Sequence, residues 1–230
     1  MYRKKTKIVA TISDWMSDPE YIKALYDAGM NVVRMNTAHI TTEGATKILN
    51  NVRSVSDEIA LLIDTKGPEV RTTGVEEPIS VALGDKIKVS GDLSKPDCLH
   101  VNYLSFVEDI PVGSMLLIDD GDIELEVKSK DTDFLYCEAT NSGAIKNRKS
   151  LNIPGVSIKL PSLTEKDKEF IRYAIENKIE FIAHSFVRNK QDVIDIQNIL
   201  DEHKSPIRII AKIENQEGVD NIDEILDHAY

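Results

Sequence analysis

Residues 1–67 alternate short apolar runs with amphipathic segments, residues 68–158 carry no helical period of useful length, and from residue 159 the first rhythm returns. Any fold proposed for this chain must accommodate that interruption. In the first stretch, residues 8–12, 32–36 and 59–64 read as strands. Between them Ile22, Leu25 and Tyr26, and then Ala45, Ile48, Leu49 and Val52, each fall on one helical face. Asp18, Pro19 and Glu20 supply an N-cap, a first-turn proline and an acid near the positive end of the helix dipole, and Gly29 ends that helix. Strand and helix alternating at this spacing predict a parallel sheet with helical crossovers.

The middle stretch reads differently. Residues 79–83, 86–90, 115–118, 123–127 and 134–138 are short β-like runs, separated by turns such as Leu83-Gly84-Asp85, Pro111-Val112-Gly113 and Asp120-Gly121. Asp119, Asp120 and Asp122 have the wrong spacing for a calcium loop and mark a hairpin. Residues 68–158 therefore predict an all-β domain inserted into a loop of the first domain, which covers 1–67 and 159–230. After the insert, Thr164 with Asp167 forms a capping box ahead of Phe170, Ile171, Ala174 and Ile175. Residues 181–183 and 207–212 read as strands. Val193, Ile196 and Leu200 mark one helix, and Val219, Ile222, Ile225 and Leu226 a last one. Without the insert about 140 residues remain, whereas a closed barrel of eight βα units takes at least ~200. Five strands would make an incomplete barrel; an open doubly wound sheet also fits the length but needs helices on both faces.

The formal net charge of −11 and pI near 5.0 disfavour nucleic acid and anionic membranes as partners, while leaving room for an anionic small molecule held by a few local basic groups. Cys98 and Cys137 show no CxxC or Cys/His spacing and read as small apolar residues of a reduced chain. The basic stretch 1–7 precedes an apolar run too short for a signal peptide, and no segment reaches the ~20 apolar residues that span a bilayer. The expectation is a cytoplasmic protein.

Chemistry in α/β proteins collects at the carboxyl ends of strands. Three such ends here carry polar clusters. VVRMNTAH puts Arg34 and Asn36 on one face by the two-residue period, with His39 in the following turn. IDTKGPEVR gathers Asp64, Thr65, Lys66, Glu69 and Arg71 around a Gly-Pro hinge, and IIAKIENQEG puts Lys212 and Glu214 together. Fixed cations beside carboxylate oxygens suit phosphoryl transfer, because hard divalent cations take oxygen ligands and Arg and Lys stabilise phosphoryl oxygens. Strand-end ion pairs without function remain the alternative at any single position. His184 reads as packing beside a strand end. The sequence contains no GxxxxGK[ST], GxGxxG or HExxH pattern.

KIVATI (7–12), AGMNVVRMN (28–36), DTKGPEVR (64–71), KSLNIPG (149–155), LPSLTEKD (160–167), HSFVR (184–188) and AKIENQEG (211–218) together resemble the pyruvate kinase family, in its order and spacing over essentially the whole chain. The resemblance implies a (β/α)8 TIM-barrel type, apparently truncated after about five βα units, with an inserted all-β barrel lid. It implies transfer of a phosphoryl group from phosphoenolpyruvate to ADP, giving pyruvate and ATP. Lys212 and Arg34 match the phosphoryl-contacting cations. Glu214 matches a ligand of Mg2+ or Mn2+, and Asn36, Asp64 and Thr65 match ligands of K+. Arg71, His39 and Lys149 match nucleotide-phosphate contacts, and Glu69 matches the acidic form of its motif. The family also implies a homo-oligomer at full length.

Two departures qualify this. Ala38 stands where the family carries a hydroxyl, and Thr37 points to the other side of an extended chain, so weaker or altered K+ dependence is expected. Ser13-Asp14-Trp15 replaces the family's Gly-Pro, with Trp15 expected to pack in that loop. Family members continue into a strand with an Asp that completes the divalent site, which implies no turnover by the 230 residues alone. A truncated, non-catalytic relative acting through binding or assembly is the competing reading. A lyase or aldolase on the same barrel is a weaker third, since it has no use for an ADP site.

Overall fold

The computed structural model describes residues 5–229; residues 1–4 of the basic N-terminal stretch, and Tyr230, lie outside them. In chain order the elements are β1 (Val9–Thr11), α1 (Pro19–Asp27), β2 (Val32–Asn36), α2 (Thr42–Val55) and β3 (Ala60–Thr65). Next come β4 (Val70–Thr73), β5 (Ile79–Val81), β6 (Lys86–Ser90), β7 (Leu99–Val101), α3 (Phe106–Asp109), β8 (Met115–Ile118), β9 (Ile123–Lys130), β10 (Leu135–Ala139), β11 (Gly143–Ile145) and β12 (Ser150–Asn152). The chain continues with α4 (Glu165–Glu176), β13 (Phe181–His184), α5 (Lys190–Glu202), β14 (Arg208–Ala211), α6 (Gln216–Asp220) and α7 (Ile222–Leu226). It divides into two compact units, one of Met1–Pro68, Pro161–Glu214 and Gly218–Tyr230, the other of Glu69–Leu160 with Asn215–Glu217.

The first unit holds a parallel sheet in the order β1-β2-β3-β13-β14. Neighbours follow chain order with no reversal, which is an arc of a βα barrel and excludes the doubly wound alternative, whose strand order must turn back on itself. Val33, Met35, Leu61, Ile63, Ile182 and Ile209 are buried in one core with the helix residues Ile22, Ile48, Val52, Phe170, Ala174, Val193, Ile196 and Leu200. These are the apolar positions that the helical and strand periods mark. At the start of α4 the box is complete: the Asp167 amide donates to Thr164 Oγ1 at 3.1 Å and the Thr164 amide donates to Asp167 Oδ2 at 2.9 Å. Asp18 is extended before α1 but makes no side-chain cap bond, so Pro19 and the backbone alone start that helix. The last amphipathic helix expected from the sequence is two short ones, α6 and α7. Val219 and Leu226 are exposed and only Ile225 is buried deeply, and at the break Asn221 Nδ2 donates to Arg188 O at 3.0 Å.

In the second unit, β10-β6-β7-β4-β12-β8-β9 close a barrel, and β5 pairs with β11 beside it. Asp119, Asp120 and Gly121 all have positive φ (54°, 59° and 94°) in the β8–β9 hairpin, as the Asp-rich turn predicts. β4, β7, β11 and β12 escape the sequence reading. Each has three or four residues, too few to show a period of two, and α3 is a single turn. Cys137 is buried as expected, but Cys98 is not remote from histidine: its Sγ lies 3.4 Å from His100 Nε2. Among the described residues, no helix is long and apolar enough to cross a membrane.

Candidate functional site

The ends of β2, β3, β13 and β14 bring Arg34, Asp64, Ser185, Lys212 and Glu214 together. Period-two alternation puts Val33 and Met35 into the helix-facing core, so Arg34 faces the other side of the sheet, toward β3. Asp64 is buried there, opposite Asn36 in register. Arg34 Nε donates to Asp64 Oδ2 at 2.6 Å, its second nitrogen pairs with the same oxygen, and its Nη1 reaches Thr11 Oγ1 at 2.8 Å. Lys212 Nζ sits 3.2 and 3.4 Å from the two Asp64 oxygens, 2.7 Å from Ser185 Oγ and 3.5 Å from Glu214 Oε1. Ser185 Oγ in turn donates to Asp64 Oδ1 at 3.1 Å. Two cations thus converge on one buried carboxylate, and both of its oxygens are taken.

The backbone around this cluster is held tightly. Lys212 N donates to His184 O at 2.9 Å, Thr37 N to Asp64 O at 3.1 Å, and Phe186 N to Glu214 Oε2 at 3.0 Å. Gly67 has φ +68°, and a Cβ there would lie 2.0 Å from Ser185 O, so only glycine lets the chain leaving β3 pass the β13 end.

The remaining sequence candidates divide. Asn36 Oδ1 accepts from Ala38 N at 3.0 Å, and His39 is exposed, its amide bound to Asn36 O at 3.2 Å. Thr65 is buried with its hydroxyl on Ala183 O (3.3 Å) and His184 Nδ1 (2.8 Å). That hydroxyl is spent inside the sheet and does not join the cluster. Thr37 is buried and donates to Asp64 O at 3.0 Å, while Ala38 is exposed, so the two do point opposite ways. His184 is buried, its Nε2 has no hydrogen-bond partner, and burial pulls its pKa down, keeping the ring neutral. Trp15 does not pack into its loop: it is 78% exposed. In the second unit Arg71 Nε pairs with Glu69 Oε2 at 2.5 Å, its Nη1 donates to Arg148 O at 2.6 Å, and Lys149 pairs with Asp119 at 2.7 Å.

Ser185 and Thr11 are the site residues that sequence reasoning left without a role. Both lie in recognised segments, Ser185 inside HSFVR and Thr11 next to last in KIVATI, but a lone hydroxyl at a strand end carries no charge pattern to mark it.

As a metal site the cluster is not preformed. Among the described residues no three His, Cys, Asp or Glu side chains group to hold a metal. Lys212 stands between Asp64 and Glu214, leaving Glu214 as a single carboxylate where a divalent cation needs several oxygens. For a monovalent cation, Asp64 would first have to be released by its cations, and the Thr65 hydroxyl is turned away. Neither cation fits this donor set as it stands. What the arrangement can do is present two fixed positive charges at one mouth to an anion that displaces Asp64.

The family model "Pyruvate kinase, barrel domain" matches residues 3–230. The chain is 54% identical to a pyruvate kinase of Borreliella burgdorferi, covering 100% of this chain and 49% of that protein. It is 43% identical to a pyruvate kinase of Staphylococcus aureus, covering 97% and 40%. A crystal structure of a pyruvate kinase from Cryptosporidium parvum superposes with a TM-score of 0.89 at 35% identity, over 98% of this chain and 49% of that one. The chain spans about half the length or less of these relatives.

Proposed function

The chain belongs to the pyruvate kinase family, and on that premise we propose that its strand-end cluster is the phosphoryl-binding part of a site that transfers a phosphoryl group between phosphoenolpyruvate and ADP. The observation that carries this reading is the convergence of Arg34 and Lys212 on Asp64. A phosphoryl group spreads its charge over several oxygens, and cations held before the reaction begins stabilise that charge without reorganising. Arg34 is braced by Thr11, and the Lys212 ammonium by Ser185, so both keep their places when the anion takes over from Asp64. The relatives' names support the kinase reaction; the substrates of this chain are a proposal.

Mg2+ or Mn2+ at Glu214, and K+ at Asn36, Asp64 and Thr65, are proposed on the motif match alone and require Asp64 to be released first by Arg34 and Lys212, with altered K+ dependence on account of Ala38. The same holds for nucleotide-phosphate contacts from His39, Arg71 and Lys149, each of which is exposed or paired within its own unit. Cytoplasmic location and homo-oligomer formation at full length rest on the family alone.

With Asp64 engaged by Arg34 and Lys212, Glu214 is the single carboxylate left to offer a divalent cation, and the 230 residues by themselves are proposed to be inactive. The test is pyruvate release from phosphoenolpyruvate and ADP with Mg2+ and K+ present. No rate above the uncatalysed background is expected, and a rate that disappears on Lys212→Met would overturn the proposed inactivity.

A further inference from the structure

At the opposite ends of β13 and β14 from the site, a cavity of 540 Å³ opens in the first unit between the α4–β13 and α5–β14 connections. Its lining includes the apolar residues Ile175, Ile179, Phe181 and Ile207. Its lining also includes Lys178, Lys204, His203 and Arg208, against one carboxylate, Glu180. That carboxylate is already used: Oε1 pairs with Arg53 at 2.8 Å and Oε2 accepts from Leu61 N at 2.7 Å. Lys178 and Lys204 have no ion-pair partner among the described residues. A basic cavity is unexpected on a chain of net charge −11.

The backbone at these lysines is also unusual. Three helices of the first unit end in the same way, with two hydrogen bonds reaching back from the two residues after the C-cap. In α1 these are Gly29 N→Tyr26 O and Met30 N→Leu25 O, in α4 Lys178 N→Ile175 O and Ile179 N→Ala174 O, in α5 Lys204 N→Asp201 O and Ser205 N→Leu200 O. The motif demands positive φ at its first residue. In α1 that residue is Gly29 (φ 105°), the sterically free choice, yet both helices beside the cavity place a lysine there, at φ 54° and 49°. A long cation kept twice in a conformation that glycine adopts freely, each time at the rim of the same cavity, indicates a use for the charge. Complementing each helix's dipole accounts for a cation at either helix end, but not for the apolar cavity that the two lysines share.

We propose that this cavity binds an organic anion with an apolar body, its carboxylate or phosphate held by Lys178 and Lys204 and its hydrocarbon part on Ile179 and Ile207. The site is independent of the proposed phosphoryl-transfer reading. The probe is phenyl phosphate, titrated into the 15N-labelled chain, with inorganic phosphate and benzyl alcohol as the charge-only and ring-only controls. Saturable shifts at Lys178, Ile179, Lys204 and Ile207 are expected, with at least about tenfold weaker binding for either control. The variant Lys178→Gly/Lys204→Gly keeps the helix ends, as Gly29 shows, so its melting temperature should be equal or higher while phenyl phosphate affinity falls at least about tenfold. Absence of saturable shifts at those residues, shifts confined to Arg34 and Lys212, or unchanged affinity in the double variant would each overturn the proposal. Failure of the phosphoryl-transfer reading would leave these shifts in place.

Discussion

Replacing Asp64 by Asn removes the charge on which the strand-end cluster is built while preserving the side chain's shape. Asp64 accepts from Arg34, Lys212 and Ser185. An asparagine keeps one acceptor oxygen and turns its NH2 toward donors on the other side, so at least one charged hydrogen bond becomes a donor–donor contact. Hydrogen bonds to charged groups contribute about 1.5–3 kcal/mol each. Arg34 and Lys212 retain 32% and 29% side-chain exposure, so water recovers part of the loss, and the net effect on the first unit is about 2 kcal/mol. The sign reverses for anion binding. With the competing carboxylate gone, inorganic phosphate should bind at least about tenfold more tightly, since charges at this range interact with about 4 kcal/mol at an intermediate dielectric. Native-state hydrogen exchange at the Thr37 and Lys212 amides, which bond to Asp64 O and His184 O, reads the stability. A phosphate titration of both proteins reads the affinity. A stability loss below about 0.5 kcal/mol together with unchanged phosphate affinity would show that Asp64 neither anchors the two cations nor competes with an anion for them.

Gly67→Ala drives a Cβ into Ser185 O at a positive-φ position and should lower stability by roughly 3 kcal/mol or more, read as a fall in the urea midpoint of the first unit; a fall under 1 kcal/mol would show that the β3 and β13 ends separate easily. Burial pushes the Cys137 thiol up from 9.0 to about 12. The neutral thiol is therefore favoured in the folded state, so its contribution to stability is complete below pH 9 and is lost as pH rises toward 12; urea unfolding at pH 8 and 10.5 should show the decline, and Cys137→Ser should flatten that part of the profile.

Much of the architecture is legible in the residues. The helix-period positions from Ile22 to Leu200 became the core of the first unit, and the Thr164–Asp167 box stands as its spacing requires. The change of rhythm marks the inserted β-barrel, though its strands of three and four residues leave too short a record for a period of two. The single helix read over 219–226 failed because its apolar spacing survives a break at Asn221, whose side chain is drawn to Arg188 O. At the site, charge made Arg34, Asp64, Lys212 and Glu214 visible, and the structure gathers them. The direction of the Thr65 hydroxyl, toward His184 across the β3–β13 pair, depends on a neighbouring strand 119 positions away and could not be read from residues 60–65.

In the proposed reaction, Arg34 and Lys212 together receive the substrate's phosphoryl group. Titrating phosphoenolpyruvate into the chain, with the side-chain NMR signals of Arg34 Nε and Lys212 Nζ followed together, should move both along one saturating curve, and Lys212→Met should abolish the response at Arg34 or weaken it at least about tenfold. Signals that stay fixed at saturating ligand, or an Arg34 response that is the same in Lys212→Met, would contradict it.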